Sequence, residues 1–93
     1  MIVGLLSVRL RIPESQSLKD KRQVVKSLIA RIRNKFNVSA SEIGGNDLWQ
    51  EAVLGMACVG NEKRFINQVL DKILDHIRSV PTVDLVDFQI EIL

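Results

Sequence analysis

Between Ile2 and Ile12 the apolar residues fall at every second position, and past Pro13 they recur at every third or fourth. The chain makes this switch of period twice, and nothing else in it restricts the possible folds so strongly, because period two belongs to strands and period 3.6 to helices. In the first segment Ile2, Gly4, Leu6, Val8, Leu10 and Ile12 share one face, and Val3, Leu5, Ser7, Arg9 and Arg11 share the other. Pro13 ends that strand. Ser17 then stands where a helix start needs an acceptor for its free N–H groups, and Asp20 puts a carboxylate into the first turn. Leu18, Val25, Leu28, Ile29, Ile32 and Phe36 form one apolar stripe on a helix running to about Lys35.

The second half repeats the switch. Val38 and Ala40 alternate with Ser39 and Ser41 in a short strand that stops at Gly44-Gly45-Asn46-Asp47, a strong turn signal. Trp49 to Val59 is expected to return as a hairpin partner, apolar at both parities like a central strand. Asn61 is the expected cap of a second helix, whose inward face is Phe65, Ile66, Val69, Leu70, Ile73, Leu74 and Ile77. Past Pro81 the alternation returns, with Val86, Phe88, Ile90 and Ile92 on one side of the last strand and Leu85, Asp87, Gln89 and Glu91 on the other. The order βαββαβ predicts a single α+β ferredoxin-like domain over residues 1–93. Right-handed crossovers then require an antiparallel sheet in the order 4-1-3-2, with both helices on one face.

Charge is distributed as unevenly as hydropathy. Up to Phe36 there are nine basic and two acidic residues, +7, and beyond it four basic and nine acidic, −5, so the formal +2 conceals a dipolar molecule. A concentrated positive surface attracts polyanions, which makes nucleic acid or a ribosomal surface the first partner to consider. At about 100° per residue, Lys19, Arg22, Lys26 and Arg33 occupy one flank of the first helix, spread over about 21 Å, with Arg9 and Arg11 of the first strand as an extension of the patch. The plainer explanation is a solvated helix face whose aliphatic stems cover the core edge. Lys19, Lys21 and Arg22 also surround the helix N-terminus, where they could form an anion pocket, although Lys21 points coreward and Asp20 opposes any bound anion.

With the helices over one side of the sheet, Val3, Leu5, Val53, Ala57, Val59 and Leu85 remain on the other, more apolar than a solvated face should be. A homodimer packed sheet on sheet is the simplest cover, with Trp49 as an interface anchor. Strand one carries no aromatic residue, which argues against single-stranded RNA stacking on the sheet. An enzyme is not expected. His76 is the one histidine and lies on a helix flank, Cys58 sits in an apolar strand, and no metal-ligand spacing occurs, so neither a metal nor a cofactor is expected. No apolar run approaches the roughly 20 residues of a membrane span, the opening segment lacks the features of a targeting signal, and a lone cysteine fits a reducing compartment. The expected location is the cytoplasm.

Three stretches together carry a family resemblance: Ser17-Leu18-Lys19-Asp20-Lys21-Arg22 with Gln23-Val24-Val25-Lys26-Ser27-Leu28, Phe36-Asn37-Val38-Ser39, and Asp47-Leu48-Trp49-Gln50 with Ala52-Val53-Leu54-Gly55. The chain resembles the YlxP-like family of small uncharacterised bacterial proteins. That resemblance implies a ferredoxin-like fold, no known enzymatic activity and, because the family's genes lie beside those of translation factors such as ribosome-binding factor A, an RNA- or ribosome-associated role. Members often carry His before the Ser-Leu-Lys motif and near the hairpin turn, where this chain has Gln16 and Asn46. The expected function is a non-catalytic RNA- or ribosome-binding module. A homodimeric adaptor acting through the open sheet is the second reading, and a regulatory domain for a small anionic ligand is the third.

Overall fold

The computed structural model describes residues 1–93. Its elements are β1 (Ile2–Arg11), α1 (Leu18–Lys35), β2 (Ser39–Gly44), β3 (Glu51–Gly60), α2 (Lys63–Arg78) and β4 (Asp84–Ile92). The strands form one sheet in the order β2-β3-β1-β4, and every neighbouring pair is antiparallel. This is the expected order read from the opposite edge.

The core follows from period two meeting period 3.6. Leu6, Val8 and Leu10 of β1 and Ala52, Leu54, Met56 and Cys58 of β3 point into one layer, where they meet Val25, Leu28 and Ile32 of α1 and Ile66, Leu70, Ile73 and Ile77 of α2. Gly4 fixes how closely α2 can approach. A Cβ there would collide with Ile66 Cγ2 and lie 3.3 Å from both Cys58 Sγ and Leu70 Cδ1, so helix and strand meet over a bare backbone. The capping of α1 is reciprocal: Ser17 Oγ accepts from the Asp20 amide at 3.0 Å, and Asp20 Oδ2 accepts from the Gln16 amide at 3.0 Å. By contrast α2 begins after Glu62, which makes no side-chain cap bond, so Asn61 is not its cap.

Two β-bulges break the alternation that the sequence suggested. On β4, Asp87 is opposite Arg9 while Leu85 is opposite Leu10, which leaves Val86 as an extra residue. Residues directly opposite share a face, so the bulge turns Leu85 inward beside Leu10, where it packs on the core. Leu85 therefore does not belong to the open face, and Val86, expected inside, is half exposed. On β2, Glu42 is opposite Leu54 and Gly44 opposite Val53, with Ile43 extra between them. Ile43 lies over Gly55 on the open face, where a Cβ at residue 55 would meet Ile43 Cγ2 at 3.1 Å. The strand starts also shift: β2 begins after Val38, and Trp49 stays in the hairpin loop, outside β3.

Because the space over Gly4 is already occupied, Gly4→Ala is expected to lower unfolding stability by about 1–3 kcal/mol, the usual cost of overpacking a filled core. Gly4→Val should cost more. Urea denaturation followed by circular dichroism measures both, and an unchanged midpoint for Gly4→Val would contradict the close approach of α2.

Candidate functional site

Lys21 is the largest fully buried side chain in the molecule, at 0% exposure. Its ammonium spends all three of its protons, donating to Glu42 Oε2 at 2.9 Å, to the Gly45 carbonyl at 2.8 Å and to the Asn46 carbonyl at 3.2 Å. Glu42 faces Leu54 on the helix-covered side of β2. Gly45 has φ +70°, a left-handed conformation that glycine adopts without strain. One ammonium thus joins the start of α1, strand β2 and the hairpin turn. A second fastening lies beside it: Gln50 Nε2 donates to the Pro13 carbonyl at 3.2 Å and the Ser15 carbonyl at 3.1 Å, while the Ile12 amide donates to the Gln50 carbonyl at 2.8 Å.

These contacts correct one expectation. Lys21 is not available to nucleic acid or to a small anion, because its charge is sealed inside and fully coordinated. The anion pocket imagined at the N-terminus of α1 loses its central cation, and the Asp20 carboxylate already occupies the first turn. Gln50 stands in sequence only as part of the family motif, and Glu42 is not singled out there at all. A signal for Glu42 is present, since it falls at an inward strand position beside Ala40, and an inward carboxylate requires a cation.

The remaining candidate cations separate by layer. Lys19, Arg22, Lys26 and Arg33 are exposed on the flank of α1 that looks toward the free edge of β2. Arg33 shows the direction, since its Nη2 donates to the Ala40 carbonyl at 2.6 Å. None of the four has a carboxylate within 4.0 Å, and the molecule's two ion pairs are Lys21–Glu42 and Arg78–Asp75. Arg9 and Arg11 instead project from the opposite face of the sheet, opposite Asp87 and Val53 in one case and Asp84 and Glu51 in the other. They do not extend the helical stripe, because the side chains of β1 alternate between the two faces.

The open face holds the other candidates. Val3, Leu5 and Val53 are half-buried there, Val59 is exposed, and a concavity of about 660 Å³ crosses the middle strands between Leu5, Ala57 and Ile43, with Ser7 and Gly55 in its floor. Trp49 is exposed at the hairpin end and borders a smaller hollow with Arg11 and Glu51.

His76 and Cys58 occupy quiet positions. His76 sits between the helices with its ring edge-on to Phe36 at 6.2 Å, and its buried Nε2 has no partner. Burial, and then the charges of Lys35 and Arg31, push its pKa below the usual histidine value. Burial pushes the Cys58 thiol up, against a smaller opposing effect of a backbone hydrogen bond with Gly4, which leaves it protonated and unreactive. No group of three or more His, Cys, Asp or Glu side chains converges to hold a metal. No helix is long and apolar enough to cross a membrane.

Comparison with known proteins places this geometry among relatives. Residues 3–90 match a family described as "Protein of unknown function (DUF503)". The chain is 37% identical over 83 residues to "Uncharacterized protein YlxP" of Bacillus subtilis (strain 168), a match covering 89% of this chain and 90% of that protein. Among solved structures, the de novo designed protein Foldit4 superposes with a TM-score of 0.55 at 14% identity, covering 98% of this chain and 96% of the other, a likeness of fold alone.

Two predictions arise from this geometry. Lys21→Ala leaves the Glu42 carboxylate and the Asn46 carbonyl without their donor, and breaking a buried pair in this way is expected to cost about 3–5 kcal/mol in a denaturation experiment. For His76, the folded pKa lies below the unfolded value of 6.5, so the unfolded chain takes up its proton first as pH falls. Stability is expected to decline on acidification below pH 6.5 until the folded pKa is reached, and His76→Gln should flatten that part of the midpoint-versus-pH curve.

Proposed function

The chain belongs to the DUF503 family, and we propose that it is a non-catalytic RNA-binding protein, with ribosomal RNA as its first candidate partner and the β2-side flank of α1 as its contact surface. The observation that carries this reading is the alignment of Lys19, Arg22, Lys26 and Arg33 along one exposed flank of α1 with no carboxylate within 4.0 Å of any of them.

Their placement does not serve the helix itself. Lys19 and Arg22 stand three residues apart and Arg22 and Lys26 four apart, so like charges face one another along the surface. Lys19 and Arg22 also lie near the helix N-terminus, where the peptide dipoles disfavour cations. The only acidic residue of α1, Asp20, is occupied in capping. A helix selected for stability alone would intersperse Glu with these residues, whereas a helix that meets a phosphate backbone gains from leaving them free.

The stripe can also reach outward as a unit. Its length of about 21 Å spans several phosphates of a helical RNA, and Arg33, tied to the Ala40 carbonyl, holds one end against the sheet edge. Recognition through such a stripe depends on backbone shape and charge, in keeping with a sheet that offers no aromatic platform on β1. Asp84, Asp87, Glu51 and Glu91 accompany the two arginines on the open face, which makes that surface the less favourable one for a polyanion.

Binding to structured ribosomal RNA is expected to weaken steeply with salt, because each phosphate contact releases counterions. Exchanging two contacts in Arg22→Glu/Lys26→Glu should reduce the slope of log K against log salt by about two and lower affinity for all sequences alike. Filter binding or anisotropy at several salt concentrations measures this. Unchanged affinity and slope would remove the flank of α1 as the contact surface.

A further inference from the structure

We infer that the open sheet face is the interface of a homodimer whose two-fold axis runs parallel to the strands, between β1 and β3. Three observations lead there, and none involves the flank of α1.

The first is size. The strands of this face contain 10, 6, 10 and 9 residues. At about 3.3 Å per residue and 4.8 Å between strands, the face covers roughly 550 Å², so two copies would bury about 1,100 Å². That just clears the roughly 1,000 Å² minimum for a biological interface and lies at the small end of the range for specific ones. The second is composition: Val3, Leu5, Val53, Ala57, Val59 and Ile43 form the apolar part, and the charged residues lie toward the hairpin end and along β4. Val3, Leu5, Ala57 and Val59 gather at the end away from the hairpin, with Ser7, Gly55 and Ser41 between them and the charged end.

The third observation selects a second copy as the occupant. Val3 lies opposite Val59 within one sheet, Leu5 opposite Ala57, Ser7 opposite Gly55 and Arg11 opposite Glu51. A two-fold axis parallel to the strands lays β1 of one copy over β3 of the other at the same level. Apolar then meets apolar at one end, Arg9 lies over Val53, and at the outermost level the Arg11 guanidinium of each copy meets the Glu51 carboxylate of the other. The same operation lays β4 over β2, bringing Gln89 and Glu91 to the hydroxyls of Ser41 and Ser39 across the central concavity. Turning the axis perpendicular to the strands would place Leu5 over Arg9 and Glu91 over Asp87. The face is therefore complementary to itself in one orientation, as an isologous contact requires. Aligned packing of the two sheets leaves the helices outermost, so both cationic flanks stay free.

Sedimentation velocity on the full chain at tens of micromolar tests this. The expected wild-type mass is twice the 10.5 kDa of one chain. Leu5→Asp and, separately, Val59→Asp, at a position already exposed in the single chain, should each return the monomer with an unchanged circular dichroism spectrum. Arg11→Glu should weaken the dimer, and adding Glu51→Arg should restore it. A monomeric wild type, or a dimer that survives Val59→Asp, would overturn the proposal. A dimer lost in Val59→Asp but not recovered by the charge exchange would overturn the orientation of the axis.

Discussion

The buried ammonium of Lys21 holds together parts of the chain that packing alone would leave separate. Its contacts with Glu42, Gly45 and Asn46 bind the first turn of α1 to the far end of the β2–β3 hairpin. Such a charge is tolerated only because every one of its protons has an acceptor, two of them carbonyls of the hairpin turn. Gln50 closes the same corner from the other side by donating to the Pro13 and Ser15 carbonyls. Ser17, Lys21 and Gln50, which belong to the motifs shared with the YlxP-like family, are in this light a cap and two fastenings. Lys21, placed by the sequence beside a possible anion pocket, is in three dimensions one of these fastenings.

With that corner secured, the two sides of the sheet are left with different surfaces. The helix layer places Lys19, Arg22, Lys26 and Arg33 beside the β2 edge without neutralising them, and the bond from Arg33 to Ala40 occupies an acceptor of β2 that another strand could have used. The opposite face keeps an apolar end and both signs of charge. The proposed polyanion and the proposed second copy would therefore occupy different layers, each leaving the other surface accessible. The alternation of β1 enforces this division, since it sends Arg9 and Arg11 away from the helical cations even though all of them lie within the same basic stretch of sequence.

Most of the fold was legible in the chain. The helix over Leu18–Lys35 and the faces of β1 agree with the periodicity, because long amphipathic runs leave few ways to bury their apolar side, whereas β3, apolar at both parities, owes its facing to its pairing with β1. Leu85 shows where that logic stops. A bulge at Val86 adds one residue to β4, and a single extra residue reverses the facing of everything before it. The same event at Ile43 places a large apolar side chain over Gly55 on the open face. Neither bulge has a local signature, because each is set by the register in which two distant strands meet.

What the sequence determined by itself was the order of elements, the two-layer architecture and the concentration of positive charge in the first half of the chain. These depend on spacing along a helix or strand, and spacing is a local property. Only the tertiary structure decided which of those charges face solvent. It drew Lys21 inside to meet Glu42, set Arg33 against the sheet edge and sent Arg9 and Arg11 to the opposite surface. The reason is that the fate of a charge depends on the acceptors that reach it, and these acceptors came from residues 7 to 25 positions away in the chain.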